Sequence, residues 1–215
     1  MTFLSKSKYC GIWQCPKIAW MRKYKPEELV IDDSLASRME AGREVGNLAR
    51  GLFGGYVDVT SYVDEKLDIS TMIEKTKHEI AKGTEVICEA AFDAEGLYCA
   101  VDILKKSETG WDIYEVKSST HDDEPVYMAD IAYQKYVLKQ CGVNVTGTYL
   151  VCLNNEYVFD GTLDIHQLFK ITDVAPAVFI EESRIEPIID EAKEILASSE
   201  EPDIDLSMSC NKPYP

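Results

Sequence analysis

The residues best suited to chemistry are Asp102 and the tripeptide Glu115-Val116-Lys117, which lie on two short apolar segments. Both segments have the alternation of neighbouring strands, so we expect these side chains near one another. Two carboxylates beside one lysine can hold a divalent cation and activate water against a phosphodiester. The spacing, an acid followed after twelve residues by Glu-x-Lys, therefore predicts a nuclease.

Strand alternation projects Glu115 and Lys117 together from one face of the second strand, with Asp102 opposite or diagonal on the first. Carboxylates this close repel each other unless a cation lies between them, and hard oxygen ligands suit Mg²⁺ or Mn²⁺. Lys117 can orient or deprotonate the attacking water, or stabilise developing charge. The same residues also permit a purely structural arrangement, a cross-strand Lys–Glu pair with Asp102 at a strand end.

A polar residue, Gln134, lies in the helical segment that follows these strands. From such a helix a glutamine can face back over the sheet, where it would bind DNA or order the lysine. Taken alone, it is more often a residue of the helix surface.

The charge of the chain argues against a nucleic-acid ligand. The net charge is −16 and the pI about 4.6, whereas most nucleic-acid binders present a basic face. The first 25 residues contain no acid, and their basic residues are Lys6, Lys8, Lys17, Arg22, Lys23 and Lys25. This basic segment has two interpretations, a patch that contacts a phosphate backbone or an ordinary solvated helix face.

The cysteines and the apolar runs bear on the compartment. The seven cysteines are an odd number, and the chain start lacks the apolar stretch of a signal peptide, so we expect no disulfide framework. Four of them, Cys88, Cys99, Cys141 and Cys152, are expected to be buried reduced thiols. No apolar run is long enough for a transmembrane helix. These features predict a cytoplasmic protein without a membrane partner.

Periodicity divides the chain into helices, then strands, then a helix and a further strand. Helices are predicted over 5–23, 34–52, 69–81, 125–140, 164–169 and 174–198. Strands are predicted over 85–92, 97–105 and 111–117, joined by short turns into an antiparallel meander, and over 144–153; residues 157–159 can extend the sheet. Because a crossover helix precedes 144–153, that strand should lie parallel to 111–117. The order predicts an α/β fold with a mixed central sheet flanked by helices.

Three segments, VDILKK, YEVKSS and AYQKYVL, resemble motifs II and III and the trailing glutamine of PD-(D/E)XK nucleases. The similarity is to the RecB-like branch that includes the CRISPR-associated adaptation exonucleases. The N-terminal LSKSKYCGIWQCPKIAWM resembles the same branch, in which a Cys-Pro-[Lys/Arg] segment opens the domain. The resemblance covers essentially the whole chain. It implies a restriction-endonuclease-like fold for 1–198, with a helical part over 1–84, a catalytic core over 85–160, and an acidic tail over 199–215.

The resemblance also implies an activity, that of a metal-dependent DNA exonuclease acting on single strands or duplex ends with Mg or Mn as its cofactor. The implied roles are metal binding for Asp102, Glu115 and the Val116 carbonyl, catalysis for Lys117 with support from Gln134, and an accessory carboxylate at Glu89.

The chain departs from this family in two places. Relatives often carry a metal-binding histidine in the early helix, where this chain has Gly46, and Glu40 or Glu44 can compensate. In this branch one N-terminal and three C-terminal cysteines often hold an iron–sulfur cluster. Cys15 matches the first and Cys210 can match a second, so a complete cluster requires further cysteines from a longer protein.

The sequence also permits two other interpretations. A module that keeps the fold but has lost turnover would bind nucleic acid or a partner protein, and Gly46 and the net charge favour it. An unrelated acidic α/β protein with a chance spacing would require Asp102 and Glu115 to point to opposite faces of the sheet.

Overall fold

The computed structural model describes residues 3–28, 33–205 and 210, and the side chains of all of these except 33–35. The helices are α1 (Lys6–Gln14), α2 (Pro16–Tyr24), α3 (Asp33–Ala49), α4 (Ile69–Lys82), α5 (Pro125–Gln140), α6 (Ile165–Leu168), α7 (Ala175–Glu182) and α8 (Ile185–Ala197). The strands are β1 (Leu4–Ser5), β2 (Val57–Asp58), β3 (Tyr62–Val63), β4 (Lys66–Leu67), β5 (Val86–Ala94), β6 (Leu97–Lys106), β7 (Trp111–Lys117), β8 (Val145–Leu153) and β9 (Phe169–Asp173).

The sheet is mixed, as the sequence predicts. Its order is β2-β5-β6-β7-β8-β9, and β1 also pairs with β6. Strands β5, β6 and β7 form the antiparallel meander, and β8 returns through α5 to lie parallel to β7. The predicted α/β class with helices around a mixed sheet is confirmed at this level.

Local signals set most helix boundaries. The Ser5 hydroxyl accepts a hydrogen bond from the Lys8 N–H and caps α1, and Pro16 opens α2 at a position where a proline costs nothing. Asp68 caps α4 in the same way, and Gly83, at φ 82°, ends it in the left-handed conformation.

Two apolar cores lie on opposite faces of the sheet. The larger packs α1, α5, α7 and α8 on one face, and its members include Tyr9, Ile113, Ile131 and Val178. The smaller includes Ala49, at the end of α3, beside strand residues such as Cys88, Ile103 and Val151.

Several elements differ from the sequence predictions. The first 84 residues, predicted to be helical, also give β1 and β2 to the sheet and the β3–β4 hairpin. Residues 157–159 do not extend the sheet; β9 pairs with β8 in their place, and Val158 is 81% exposed. The predicted helix over 174–198 is two helices, α7 and α8.

The described part of the acidic tail packs against α2. Glu201 forms salt bridges with Lys17 and Lys25, at 3.0 and 3.3 Å. Cys210 is bonded to Cys15 as a disulfide. In the described parts of the chain, no helix has the length and apolar content needed to cross a bilayer.

Candidate active site

The site lies at a fork in the sheet, where β6 changes its neighbour. Strands β6 and β7 pair from Lys106 and Trp111 up to Ile103 and Tyr114. Beyond that level β1 runs beside β6, with Leu4 opposite Leu97. The side chain of Asp102 faces the fork, where one carboxylate oxygen, Oδ2, accepts a hydrogen bond from a β7 backbone N–H. A polar side chain thus occupies the point where the ladder ends.

Glu89 shapes the other side of Asp102. It adopts φ 57°, a left-handed conformation that is uncommon for a residue with a side chain. Cys88 belongs to the smaller core and Ala90 to the larger, although regular alternation would place both on one face. Asp102, between Val101 of the larger core and Ile103 of the smaller, marks the same change of face on β6. The irregularity turns both carboxylates toward one cleft.

Glu115 is at the centre of the site and is 2% exposed. Its Oε1 accepts a hydrogen bond from the Lys117 ammonium at 2.7 Å, and its Oε2 accepts one from Gln134 Nε2 at 2.8 Å. The predicted Lys–Glu pair therefore exists, but it lies within β7 and does not cross between strands. Gln134, fully buried, orders carboxylates and not the lysine that was proposed as its partner.

Asp130 is a site residue that the sequence analysis missed. It lies on α5 one turn before Gln134, and its Oδ2 accepts a hydrogen bond from Lys117 at 2.7 Å. Its Oδ1 accepts one from Gln134 Nε2 at 2.9 Å. The available signal was an acid inside the apolar run VYMADIAY, at helical spacing from Gln134.

Lys6, the first residue of α1, is the second site residue that was missed. Its ammonium lies 3.0 and 3.1 Å from the two oxygens of Glu115, 3.7 Å from Asp130 and 3.9 Å from Asp102. A single ammonium that reaches both Asp102 and Glu115 shows that these carboxylates converge, which the chance-spacing interpretation does not allow. No local pattern marks Lys6, because only the pairing of β1 with β6 brings it here.

The charges in this cluster shift one another's pKa values. Burial, with Asp102 and Asp130 nearby, raises the pKa of Glu115 to about 7. Burial alone would lower the pKa of Lys117, but the carboxylates around it outweigh that effect and raise its pKa well above the ordinary value. The pKa of Lys6 is raised by the same balance. Both lysines are therefore cations at neutral pH.

The remaining two carboxylates shift in opposite directions. Burial raises the pKa of Asp102. Burial acts on Asp130 in the same direction, but Lys117 and Lys6 outweigh it and hold its pKa well below the ordinary value. Three carboxylates and two ammonium groups leave this cluster with one net negative charge when all are ionised.

A cleft of about 910 Å³ opens over Asp102, Glu115 and Val116. Its walls are one face of α3, the β3–β4 hairpin, and the segment around Glu89. Val116 donates its N–H to Asp102 Oδ2 at 2.8 Å, and the role of its carbonyl as a metal ligand stays a prediction. Glu89 lines the cleft, but its carboxylate pairs with Arg50 at 3.0 Å.

Position 46 faces this cleft. Gly46 lies on the α3 face that lines it, and a Cβ added there would have no atom within 4 Å. Among the described residues, Glu40 and Glu44 are exposed and are not on that lining face. Helical spacing explains this, because lining residues such as Met39, Gly42 and Gly46 recur every three to four positions. Compensation by either glutamate finds no support here.

The donors suit a divalent cation in chemistry and in charge. They are carboxylate oxygens with a residual negative charge, and the buried Gln134 Oε1 accepts no hydrogen bond from a described residue. However, no three His, Cys, Asp or Glu side chains in the described ranges form a group ready to hold a metal. The ammonium groups of Lys6 and Lys117 contact the Glu115 oxygens instead.

The structure brings the two predicted cluster cysteines together, but as a disulfide. Cys15 and Cys210 have Cα atoms 4.9 Å apart and are covalently bonded, so in this form neither sulfur is free to hold iron. The sequence predicts no disulfide framework, and this single bond was not foreseen from it. Cys88, Cys99 and Cys152 are buried free thiols as predicted, whereas Cys141 is exposed.

The basic N-terminal segment is mostly engaged within the protein. Lys6 enters the active site, Lys17 and Lys25 pair with Glu201, and Lys23 donates to the Leu196 carbonyl. Lys8 and Arg22 are exposed and line a separate groove beside α2. Neither of the two interpretations, phosphate-binding patch or solvated face, describes the whole segment.

Comparison with known proteins adds no relative to this description. No protein-family model matches the chain, and no curated protein matches its sequence.

Proposed function

We propose that this protein is a metal-dependent deoxyribonuclease that resembles the RecB-like PD-(D/E)XK nucleases. One observation carries the proposal: Asp102, Glu115, Lys117 and Gln134 converge at a fork in a mixed sheet, and Asp102 and Glu115 line an open cleft. Two lysines, three carboxylates and a buried amide in one cluster are costly to place inside a protein. A fold that needed only stability could replace them with apolar residues, so their presence favours a functional role.

Asp102 and Glu115 are the residues that would hold a Mg²⁺ or Mn²⁺ ion. Asp102 has a side chain 27% exposed, and its Oδ1 is free of the backbone bond that Oδ2 accepts. The ion would supply positive charge that lowers the pKa of water and offsets charge on the phosphate. When all three carboxylates are ionised, the cluster keeps one negative charge, which favours binding of the ion.

We infer that Lys117 acts as a cation. In the metal-free site the carboxylates around it raise its pKa, which favours the protonated ammonium at neutral pH. It can stabilise negative charge that develops on the phosphate oxygens. Asp130 positions Lys117 and Gln134 positions Glu115 through the hydrogen bonds described above.

The cleft must supply the groups that bind the negatively charged substrate, because the protein as a whole is acidic. Arg43 and Asn47 line the cleft, as does Tyr62 of the hairpin, whereas Arg50, which also lines it, is paired with Asp58 and Glu89. Arginine and asparagine side chains suit phosphate oxygens, and an exposed tyrosine suits an unpaired base. These residues support DNA ends or single strands as the substrate.

Digestion of end-labelled DNA with Mn²⁺ or Mg²⁺ tests the proposal. Asp102→Asn and Lys117→Met should each lower the cleavage rate at least a hundredfold. Glu108→Gln, which removes an exposed carboxylate in the β6–β7 turn, should leave it unchanged. Wild-type protein that degrades neither single-stranded nor duplex DNA with either metal would contradict the assignment.

A second function is favoured by a specific observation. Lys6 already neutralises Glu115 in the metal-free cluster, as expected of a nuclease-fold module that binds nucleic acid or a partner protein without turnover. Such a module would retain labelled DNA in a filter-binding assay, and its length distribution would stay the same after incubation with Mn²⁺.

A further inference from the structure

Lys6 contacts Asp102 and Glu115, the two carboxylates that would hold a metal ion. Its ammonium bridges both Glu115 oxygens and lies within ion-pair distance of Asp102 and Asp130. The side chain is only 20% exposed. It enters from α1, whereas Asp102, Glu115 and Gln134 lie on β6, β7 and α5.

We propose that Lys6 is a displaceable internal cation that competes with the divalent metal ion for Glu115 and so sets the metal affinity of the site. This inference rests on the proposed metal-dependent function and names a residue that regulates it.

The charge balance of the cluster explains why a cation is favourable at the position of Lys6. Without it, Asp102, Glu115 and Asp130 would share the single ammonium of Lys117, and carboxylates so close together repel strongly. Lys6 offsets part of that repulsion while no metal is bound. When a metal ion binds the Glu115 oxygens, Lys6 must give up part of its contact with them, because one carboxylate oxygen cannot bind both cations at full strength.

Asp130 makes the displacement feasible. Its Oδ1 lies 3.7 Å from the Lys6 ammonium, so a small movement away from Glu115 keeps the lysine paired. The lysine side chain has several rotatable bonds and can make such a movement without a change in α1. The two cations can therefore coexist in the site, with Lys6 on Asp130 and the metal on Asp102 and Glu115.

Mn²⁺ binding to the full chain, measured by electron paramagnetic resonance and calorimetry without DNA, tests the proposal. Lys6→Met removes the competing charge and keeps a side chain of similar length, so it should tighten Mn²⁺ binding about tenfold or more. Lys6→Arg keeps the charge and can contact both Glu115 oxygens, so its Mn²⁺ affinity should be no tighter than that of the wild type. Lys8→Met, on the exposed side of the same helix, is the matched control and should not change the affinity.

Unchanged or weaker Mn²⁺ binding by folded Lys6→Met, judged by circular dichroism, would overturn the inference. If that variant does not fold, tighter binding by Lys6→Arg than by the wild type would overturn it. A wild-type protein that binds Mn²⁺ through Glu115 and cuts DNA while Lys6→Met binds no tighter refutes the role of Lys6 alone. If neither the wild type nor Lys6→Met binds Mn²⁺ in a manner that Glu115→Gln abolishes, the metal-dependent function fails as well.

Discussion

The Asp102 carboxylate accepts the Val116 backbone N–H at 2.8 Å, at the level where β6 and β7 stop pairing. This bond replaces a strand-to-strand hydrogen bond by a side-chain contact. It holds one oxygen of Asp102 and leaves the other toward the cleft. This one hydrogen bond therefore accounts both for the end of β6–β7 pairing and for the orientation of the Asp102 carboxylate.

Asp130 should be important for stability as well as for the site. Asp130→Asn removes a charge that pairs with Lys117 and Lys6 and should lower the free energy of unfolding by about 3 kcal/mol. The double variant Asp130→Asn/Lys117→Met should lose less than the sum of the two single losses, because each single change leaves a buried charge without its partner. Urea denaturation of the four proteins measures this, and additive losses would contradict the coupling.

Glu115 should make the metal-free protein less stable as the pH rises from about 4.5 to 7. Its pKa is raised to about 7 in the folded protein, so the folded state holds a proton that the unfolded state has lost. The proton on Glu115 stabilises the folded protein by about 3 kcal/mol below pH 4.5, and this contribution is lost as the pH rises through 7.

Denaturation in EDTA, compared between the wild type and Glu115→Gln over this range, checks the sign. Asp102, whose pKa is also raised, changes the stability in the same direction. Asp130, whose pKa is lowered, stabilises the folded protein at higher pH, and this stabilisation is lost only as the pH falls below about 4. The two proteins should differ most in slope between pH 5 and 7. The other groups that face Glu115 are Lys6, Lys117 and Gln134. Parallel stability curves for the two proteins would refute the expectation.

Position 46 offers a gain-of-function experiment. Because a side chain at Gly46 would enter open space in the cleft, Gly46→His places an imidazole on the wall that faces Asp102. We expect Mn²⁺ affinity at pH 8, where histidine is neutral, to rise about tenfold. Gly46→Ala controls for the loss of the glycine from α3 and should leave the affinity unchanged. Equal affinities in both variants would show that position 46 does not reach the metal.

The disulfide gives a direct thiol count. Of seven cysteines, five are free thiols in the structure. Denatured protein should react with about five equivalents of a thiol reagent without reductant and about seven after reduction. Cys210→Ser should lower the free energy of unfolding by about 2–5 kcal/mol, because the bond closes a long loop. Seven reactive thiols in the untreated protein would exclude the bond.

The sequence predicted the elements whose signals are local. The meander, α5 and the parallel return of β8 follow from alternation, capping and short turns, and the structure matches them within a few residues. Asp102, Glu115 and Lys117 were found by spacing for the same reason, since they lie on adjacent strands.

The missing parts depend on contacts between distant residues. Strand β1 is two residues long and has no pattern of its own, so neither it nor Lys6 could be placed without β6. The pairing of β9 with β8 is likewise non-local. The left-handed backbone conformation of Glu89 cannot be predicted from its residue type. It changes which side chains of β5 share a face of the sheet.

The parallel pairing of Leu4 with Leu97 has a consequence for how the protein is made. During synthesis the chain presents Lys6 long before any carboxylate that it will contact, and Asp130 and Gln134 emerge later still. The basic N-terminal segment therefore stays without these partners until the meander and α5 have left the ribosome. A nascent chain has no complete charge cluster, and hence no proposed catalytic centre, until Asp130 has been translated.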